Sequence, residues 1–267
     1  MGFSTGPTPY SQSQPEPEGP FFSDFAITDS GRLYARNNPF QKSGSKGAVV
    51  QIALAKSEIF YMRVDMPGVP KEKLSFGDPH NNVFFEGLAP KEWKYDQERE
   101  YKGFYGLRCG RCQLTVLHAN LSNGVLRMRM SKETLNNVIC CSYGPPVVDT
   151  LIATSNDEDP GKEEPGVLYT LVHPFQTKGP MNSFGATKVN AGFYVWVDMP
   201  GVTKETVSVR VKDGSVLFAG EAEMDSNQVE SGRTYDGSFV PFDMSKLGDI
   251  KAEVNYWVLK MLINYRK

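Results

Sequence analysis

The sequence predicts an all-β protein, built as two tandem antiparallel β-sandwiches of the immunoglobulin-like kind. Three observations carry this. The stretch FYMRVDMPGV at Phe60–Val69 returns as FYVWVDMPGV at Phe193–Val202, with eight of ten positions identical. Apolar residues on both sides of each stretch recur with period two, the spacing of a half-buried strand. Long amphipathic helical patterns are absent, so a sheet-on-sheet core is the architecture that remains.

The repeat extends well beyond those ten residues. At the same spacing of 133, Val83-Phe84-Phe85-Glu86-Gly87 matches Val216-Leu217-Phe218-Ala219-Gly220, and Val125-Leu126-Arg127-Met128 matches Val258-Leu259-Lys260-Met261. Upstream, Asn38-Pro39-Phe40-Gln41 matches His173-Pro174-Phe175-Gln176 at a spacing of 135. A unit of this size is a domain and not a solenoid repeat. Residues 1–30 are rich in Pro, Ser, Gln and Gly and are expected to be disordered. The first copy is placed at 31–132 and the second at 166–267. The linker, 133–165, ends in the acidic run Asn156-Asp157-Glu158-Asp159-Pro160-Gly161-Lys162-Glu163-Glu164-Pro165.

Each element has a local reason. Phe193, Val195 and Val197 alternate with Tyr194, Trp196 and Asp198, as Phe60, Met62 and Val64 do with their neighbours. Tyr194 and Trp196 therefore form a second face, either a second packing layer or a partner-facing patch. Pro200-Gly201 and Pro67-Gly68 have the chemistry of a type II turn. Val207, Val209 and Val211 alternate up to Lys212-Asp213-Gly214, a hairpin signal. Asn123-Gly124 is another, whereas the second copy has Tyr256-Trp257 there, residues that argue against a type I′ turn. Asp65 and Asp198, just before the Met-Pro-Gly turns, read as residues that fix local backbone hydrogen bonds.

Composition narrows the function. Net charge is −2, and neither half is basic enough for nucleic-acid binding. No apolar run reaches membrane-spanning length. The start lacks the pattern of a signal peptide, which predicts a cytoplasmic or nuclear protein. Cys109 and Cys112 have half-site spacing for zinc, but Cys140 and Cys141 are adjacent and would point apart on a strand. Reduced thiols and no metal or other cofactor are expected. His80, His118 and His173 read as surface or packing residues, with no role shared between the copies. With no phosphate loop, nucleophile elbow or acid–base pair, catalysis is not expected.

The order of strand, VDMPGV, alternating strand, VLFAGE, charged loop, Gly-x-Phe and IKAEV resembles the α-crystallin domain of plant small heat-shock proteins. Ala119-Asn120-Leu121-Ser122-Asn123-Gly124-Val125-Leu126 is similar to the terminal motif of that family. The resemblance implies two tandem α-crystallin-like domains and an ATP-independent protein-binding, chaperone-like activity linked to stress. It also implies a groove for extended apolar peptides. The corresponding residues are Leu74 and Phe76 with Leu117, Ala119 and Leu121 in the first copy. In the second they are Val207, Val209 and Val211 with Ile250, Ala252 and Val254. The altered Phe239-Val240-Pro241-Phe242-Asp243 segment and the ending at Tyr265-Arg266-Lys267, without the family's docking tail, depart from the pattern. These departures favour a monomer or dimer in which the two domains pair within the chain. Divergent α-crystallin-domain proteins of the increased-DNA-methylation type are similar, and imply the alternative of a nuclear adaptor or scaffold. Partners are expected to be proteins, either unfolded clients or a defined complex.

Overall fold

The computed structural model describes residues 32–36, 38, 40–44, 47–53, 59–77, 82–106, 112–134, 167–169, 173, 175–180, 182–190, 192–222, 232–239 and 247–266. The expected disordered start, nearly all of the linker and Cys109, Cys140 and Cys141 lie outside these. Apart from two 3-10 turns, Lys71–Lys73 and Lys204–Thr206, regular structure among the described residues is entirely β. The fold is all-β with two sandwiches, as the periodicity predicts.

The first copy supplies β1 (Arg32–Arg36), β2 (Gln41–Ser43), β3 (Val49–Ala53), β4 (Ile59–Asp65), β5 (Leu74–Gly77), β6 (Asn82–Ala89), β7 (Arg99–Gly106), β8 (Cys112–Ser122) and β9 (Val125–Thr134). The second supplies β10 (Val167–Tyr169), β11 (Gln176–Lys178), β12 (Phe184–Val189), β13 (Gly192–Asp198), β14 (Ser208–Lys212), β15 (Ser215–Glu221), β16 (Thr234–Phe239), β17 (Leu247–Asn255) and β18 (Val258–Tyr265). They form four sheets. Two have the orders β10-β1-β3-β4-β9-β8 and β11-β7-β6-β5; the others are β12-β13-β18-β17 and β14-β15-β16-β2.

The sandwiches are not self-contained. β2 leaves the first copy and pairs antiparallel with β16 of the second, and β11 leaves the second and pairs with β7 of the first. The matching Asn38-Pro-Phe40-Gln and His173-Pro-Phe175-Gln segments are therefore reciprocally exchanged strands. Each carries a Phe into the other copy's core. Phe175 is fully buried, with its ring edge-on to Phe85 at 5.2 Å. Phe40 meets Phe218 edge-on at 5.1 Å. Gly103 and Gly237 leave the space this needs: a Cβ on Gly237 would lie 2.4 Å from the Phe218 ring and 2.6 Å from that of Phe40.

The turns also join the copies. Gly68 and Gly201 have φ +89° and +93°, and the i to i+3 bonds Val69 N–H to Met66 O and Val202 N–H to Met199 O close the expected type II turns. The Asn123-Gly124 turn has positive φ at both residues, 53° and 65°. Tyr256 and Trp257 do too, at 43° and 63°. The second copy thus makes the two-residue turn that its side chains argued against. The reason is tertiary. The Tyr256 carbonyl accepts from Gly68 N–H across the copies at 2.8 Å, and the Trp257 carbonyl accepts from Met199 N–H at 2.9 Å. Reciprocally, the Asn123 carbonyl accepts from Gly201 N–H at 2.7 Å. Left-handed backbone costs a non-glycine residue on the order of 1–3 kcal/mol and persists only where its surroundings enforce it.

Phe175→Ala tests the exchange. Truncating a fully buried Phe costs about 3–5 kcal/mol, so the variant's urea midpoint should fall by that equivalent, even though residue 175 belongs to the copy whose core it does not fill. A midpoint within experimental error of the parent would show that β11 is not seated on the first copy.

Candidate protein-binding grooves and the buried inter-copy charges

Asp65 ends β4 and Asp198 ends β13, at equivalent positions in the repeat. Neither merely fixes local backbone. Arg233 Nη1 and Nη2 reach the two Asp65 oxygens at 2.7 and 2.9 Å, and Arg99 Nη1 reaches both Asp198 oxygens at 2.8 and 2.7 Å. Each bond joins the copies, and all four side chains are buried. A sequence signal for this existed: Arg99-x-Tyr101-x-Gly103 repeats as Arg233-x-Tyr235-x-Gly237. Tyr101 donates to the Pro67 carbonyl at 3.0 Å and Tyr235 to the Pro200 carbonyl at 2.9 Å, so each motif holds a Pro-Gly turn as well.

The two ion pairs are not equal. Arg63 lies 3.5 Å from Asp65, while the repeat-equivalent residue of the second copy is Trp196, which carries no charge. Burial opposes ionisation of Asp65, but Arg233 and Arg63 outweigh it and hold this carboxyl below the usual carboxylate range. At Asp198 burial wins over Arg99, and the carboxyl is pushed up.

His173 and Asn38 share one role, contrary to the expectation that the histidines have no counterpart. His173 Nε2 bonds to the Asp65 carbonyl at 2.5 Å and its Nδ1 accepts from Phe175 N–H at 3.1 Å. In the other copy Asn38 Nδ2 donates to the Asp198 carbonyl at 2.8 Å and its Oδ1 accepts from Phe40 N–H at 3.1 Å. An amide and a neutral imidazole each offer one donor and one acceptor at this spacing. The bond from Phe175 requires an unprotonated Nδ1, and burial pushes the imidazole down to about 4.

The Tyr194 and Trp196 face is covered by the first copy. Trp93 and Tyr95 each lie 5.8 Å from Tyr194, whose ring stacks on Trp196 at 6.2 Å. Lys260 Nζ donates to Glu92 at 2.8 Å and Asp96 at 2.6 Å, and the Tyr194 hydroxyl donates to Asp96. The aromatic patch therefore does face a partner, and the partner is the other half of the chain.

The candidate groove residues lie on edge strands. β5 and β8 are outermost in the two sheets of the first sandwich, and β14 and β17 in those of the second. Leu74 and Ala119 are partly buried against the first core and Leu121 is buried in it. Phe76 and Leu117 stay 45% and 54% exposed. Leu117 misses the inward face because of a β-bulge: Val116 pairs with Met130 and His118 with Arg129, leaving residue 117 unpaired. Val116 packs inward instead. By pairing, it is the equivalent of Ile250, which faces Ile263. In the second copy Val207, Val209, Ile250 and Val254 pack partly buried against the core, while Ala252 is exposed and Val211 is 51% exposed. The alternation thus mixes groove floor with outward-facing residues.

The His173 geometry gives a pH dependence with a definite sign. Its folded value of about 4 lies below the ordinary 6.5, so between these pH values the unfolded chain takes up a proton that the folded chain refuses. Stability should fall as pH drops through that window, by about 3 kcal/mol at its lower end. His173→Asn, which installs the first copy's own solution, should flatten this part of the profile. Unfolding midpoints from pH 7.5 to 4 decide it; equal slopes in parent and variant would contradict the assignment.

The family model described as "Predicted plant small heat shock protein" matches residues 26–266. A relative from Arabidopsis thaliana, named as a 57 kDa heat shock protein, is 35% identical over 106 residues, which is 39% of this chain and 20% of that protein. The mitochondrial heat shock 22 kDa protein of Glycine max is 25% identical over 119 residues, 42% of this chain and 56% of its own. The chain thus spans between a fifth and just over half of these relatives. Among solved structures, hspA from Xanthomonas axonopodis matches 31% of this chain and 91% of its own at 18% identity, with a TM-score of 0.28. Among the described residues no helix is long and apolar enough to cross a membrane. With the family model spanning both copies, this chain belongs to the plant small heat-shock protein family.

Proposed function

We propose that the chain is an ATP-independent protein-binding module that holds extended apolar segments of other proteins along its open sandwich edges. The observation that supports this is the row of large apolar side chains left exposed on edge strands, Phe76 on β5, Leu117 on β8 and Val211 on β14, next to half-buried neighbours of the same cores. An edge strand adds main-chain hydrogen bonds to an extended peptide, and alternate side chains supply the selectivity. No catalytic step is part of this reading.

A second reading, that of an adaptor in a defined complex, has its own support. The exchange of β2 and β11 uses within one chain the contacts through which two copies would otherwise join. Such a particle suits a stoichiometric subunit. A linked pair of domains also gains from a high effective concentration.

Leu117→Asp with Val211→Asp separates function from folding. Both positions are more than half exposed, so stability should change by no more than about 0.5 kcal/mol, while suppression of aggregation of a heat-denatured client protein should drop several-fold. Retained suppression would refute the edge reading. Light scattering on the parent chain then orders the two roles. A mass of one or two times 29.7 kDa supports the intrachain pair and the adaptor, and a mass many times larger supports the client-storing chaperone.

A further inference from the structure

Every described strand obeys the two-fold relation between the copies except β10. β3 in the first copy and β12 in the second are equivalent: Val49 pairs with Val64 and Phe184 with Val197, on matching residues of β4 and β13. The edge of β3 is covered. β1 lies on it antiparallel, with Arg32 opposite Ile52, Leu33 opposite Gln51, Tyr34 opposite Val50 and Ala35 opposite Val49. Among the described residues no strand lies on the outer edge of β12, which is outermost in its sheet. The consequence for burial is large: Val49 is 2% exposed and its counterpart Phe184 is 43% exposed.

The segment that repeats β1 is β10, with Leu33-Tyr34 returning as Leu168-Tyr169. It does not lie on β12. It extends the first copy's sheet, parallel to β1, with Tyr34 opposite Val167, Ala35 opposite Leu168 and Arg36 opposite Tyr169. Yet the chain could place it on β12 without disturbing anything downstream. Gln41, on the exchanged strand β2, lies seven positions after Tyr34. Gln176, on the exchanged strand β11, lies seven positions after Tyr169. The same tether that lets the first copy hold β1 on β3 while β2 sits across the interface is present in the second copy. The site β10 occupies is three residues of parallel pairing at a sheet edge, and parallel pairing is slightly the weaker kind per residue.

We propose that β12 is a second docking edge for β10, occupied antiparallel with Leu168 opposite Ala186, Val167 opposite Thr187 and Tyr169 opposite Gly185. β10 is then a strand with two stations. On β1 it leaves β12 and Phe184 open as a place where an extended segment of another protein adds to the sheet. On β12 it fills that place itself and restores the two-fold symmetry. The occupant is this chain's own strand, so the edge is covered or uncovered by an intramolecular exchange and not by association. This goes beyond the client-binding edges at β5, β8, β14 and β17, and does not depend on them.

Two measurements test it. Residues facing each other on neighbouring paired strands, parallel or antiparallel, lie within disulfide reach. In a chain with Cys109, Cys112, Cys140 and Cys141 changed to Ser, Leu168→Cys with Ala186→Cys should close an intramolecular disulfide under mild oxidation. The yield should be comparable to that of Ala35→Cys with Leu168→Cys, which reports the β1 station; peptide mapping identifies the bond. In the unmodified chain, the outward amides of β12 should be protected from hydrogen exchange by about twofold, as for an edge covered about half the time, and Leu168→Pro should remove that protection. Both results are required. Closure of the β1 pair alone, a Leu168–Ala186 disulfide that joins two chains, or β12 amides that exchange freely or ignore Leu168→Pro would each overturn the proposal.

Discussion

The molecule depends on the reciprocal exchange of one short strand. β2 and β11 are only three residues each, too short to add much by their ladders. Their effect comes from what travels with them: a Phe that completes the opposite core, and an Asn or His that ties the chain to the carbonyl of the opposite Asp. Neither sandwich is complete alone. Each would lack the ring that packs edge-on against Phe85 or Phe218, and a vacancy of that kind in a β-core costs several kcal/mol.

The buried charges make the same arrangement specific. A buried ion pair is a weak source of net stability, because desolvation offsets most of the attraction. Breaking one by separating the copies is a different matter, since it would take Arg233 from Asp65, leaving that carboxylate Arg63, and Arg99 from Asp198. The pairs therefore discriminate against wrong apposition more than they strengthen the right one. The asymmetry between them, with Arg63 beside Asp65 and an uncharged Trp at the equivalent position 196, makes the two halves electrostatically unequal around a nearly two-fold axis. The loop carrying Glu92, Trp93, Tyr95 and Asp96 lies over Tyr194, Trp196 and Lys260 and adds a second contact on one side of that axis.

The exchange of β2 and β11 joins the two halves of one chain, and β5, β8, β14 and β17 stand at sheet edges. Those edges are not equivalent. β5 and β14 end the sheets that receive the exchanged strands, whereas β12 is outermost among the described residues with its repeat-related neighbour placed elsewhere.

The sequence by itself determined the all-β class, the duplication, the Pro-Gly turns and the Asp-Gly hairpin, because these rest on local chemistry: period-two burial, the fixed φ of proline and the positive φ open to glycine. It also gave the strands that carry the candidate groove residues, although the bulge at Leu117 shifts the inward face of β8, since one unpaired residue inverts every side chain beyond it. Only the tertiary structure decided the rest. The exchange of β2 and β11, the pairing of Asp65 with Arg233 across 168 positions, and the equivalence of Asn38 with His173 are contacts between distant segments, which no periodicity encodes. The turn at Tyr256-Trp257 shows why most directly. Local preference argued against it, and two backbone hydrogen bonds, one of them from the other copy, outweighed that preference.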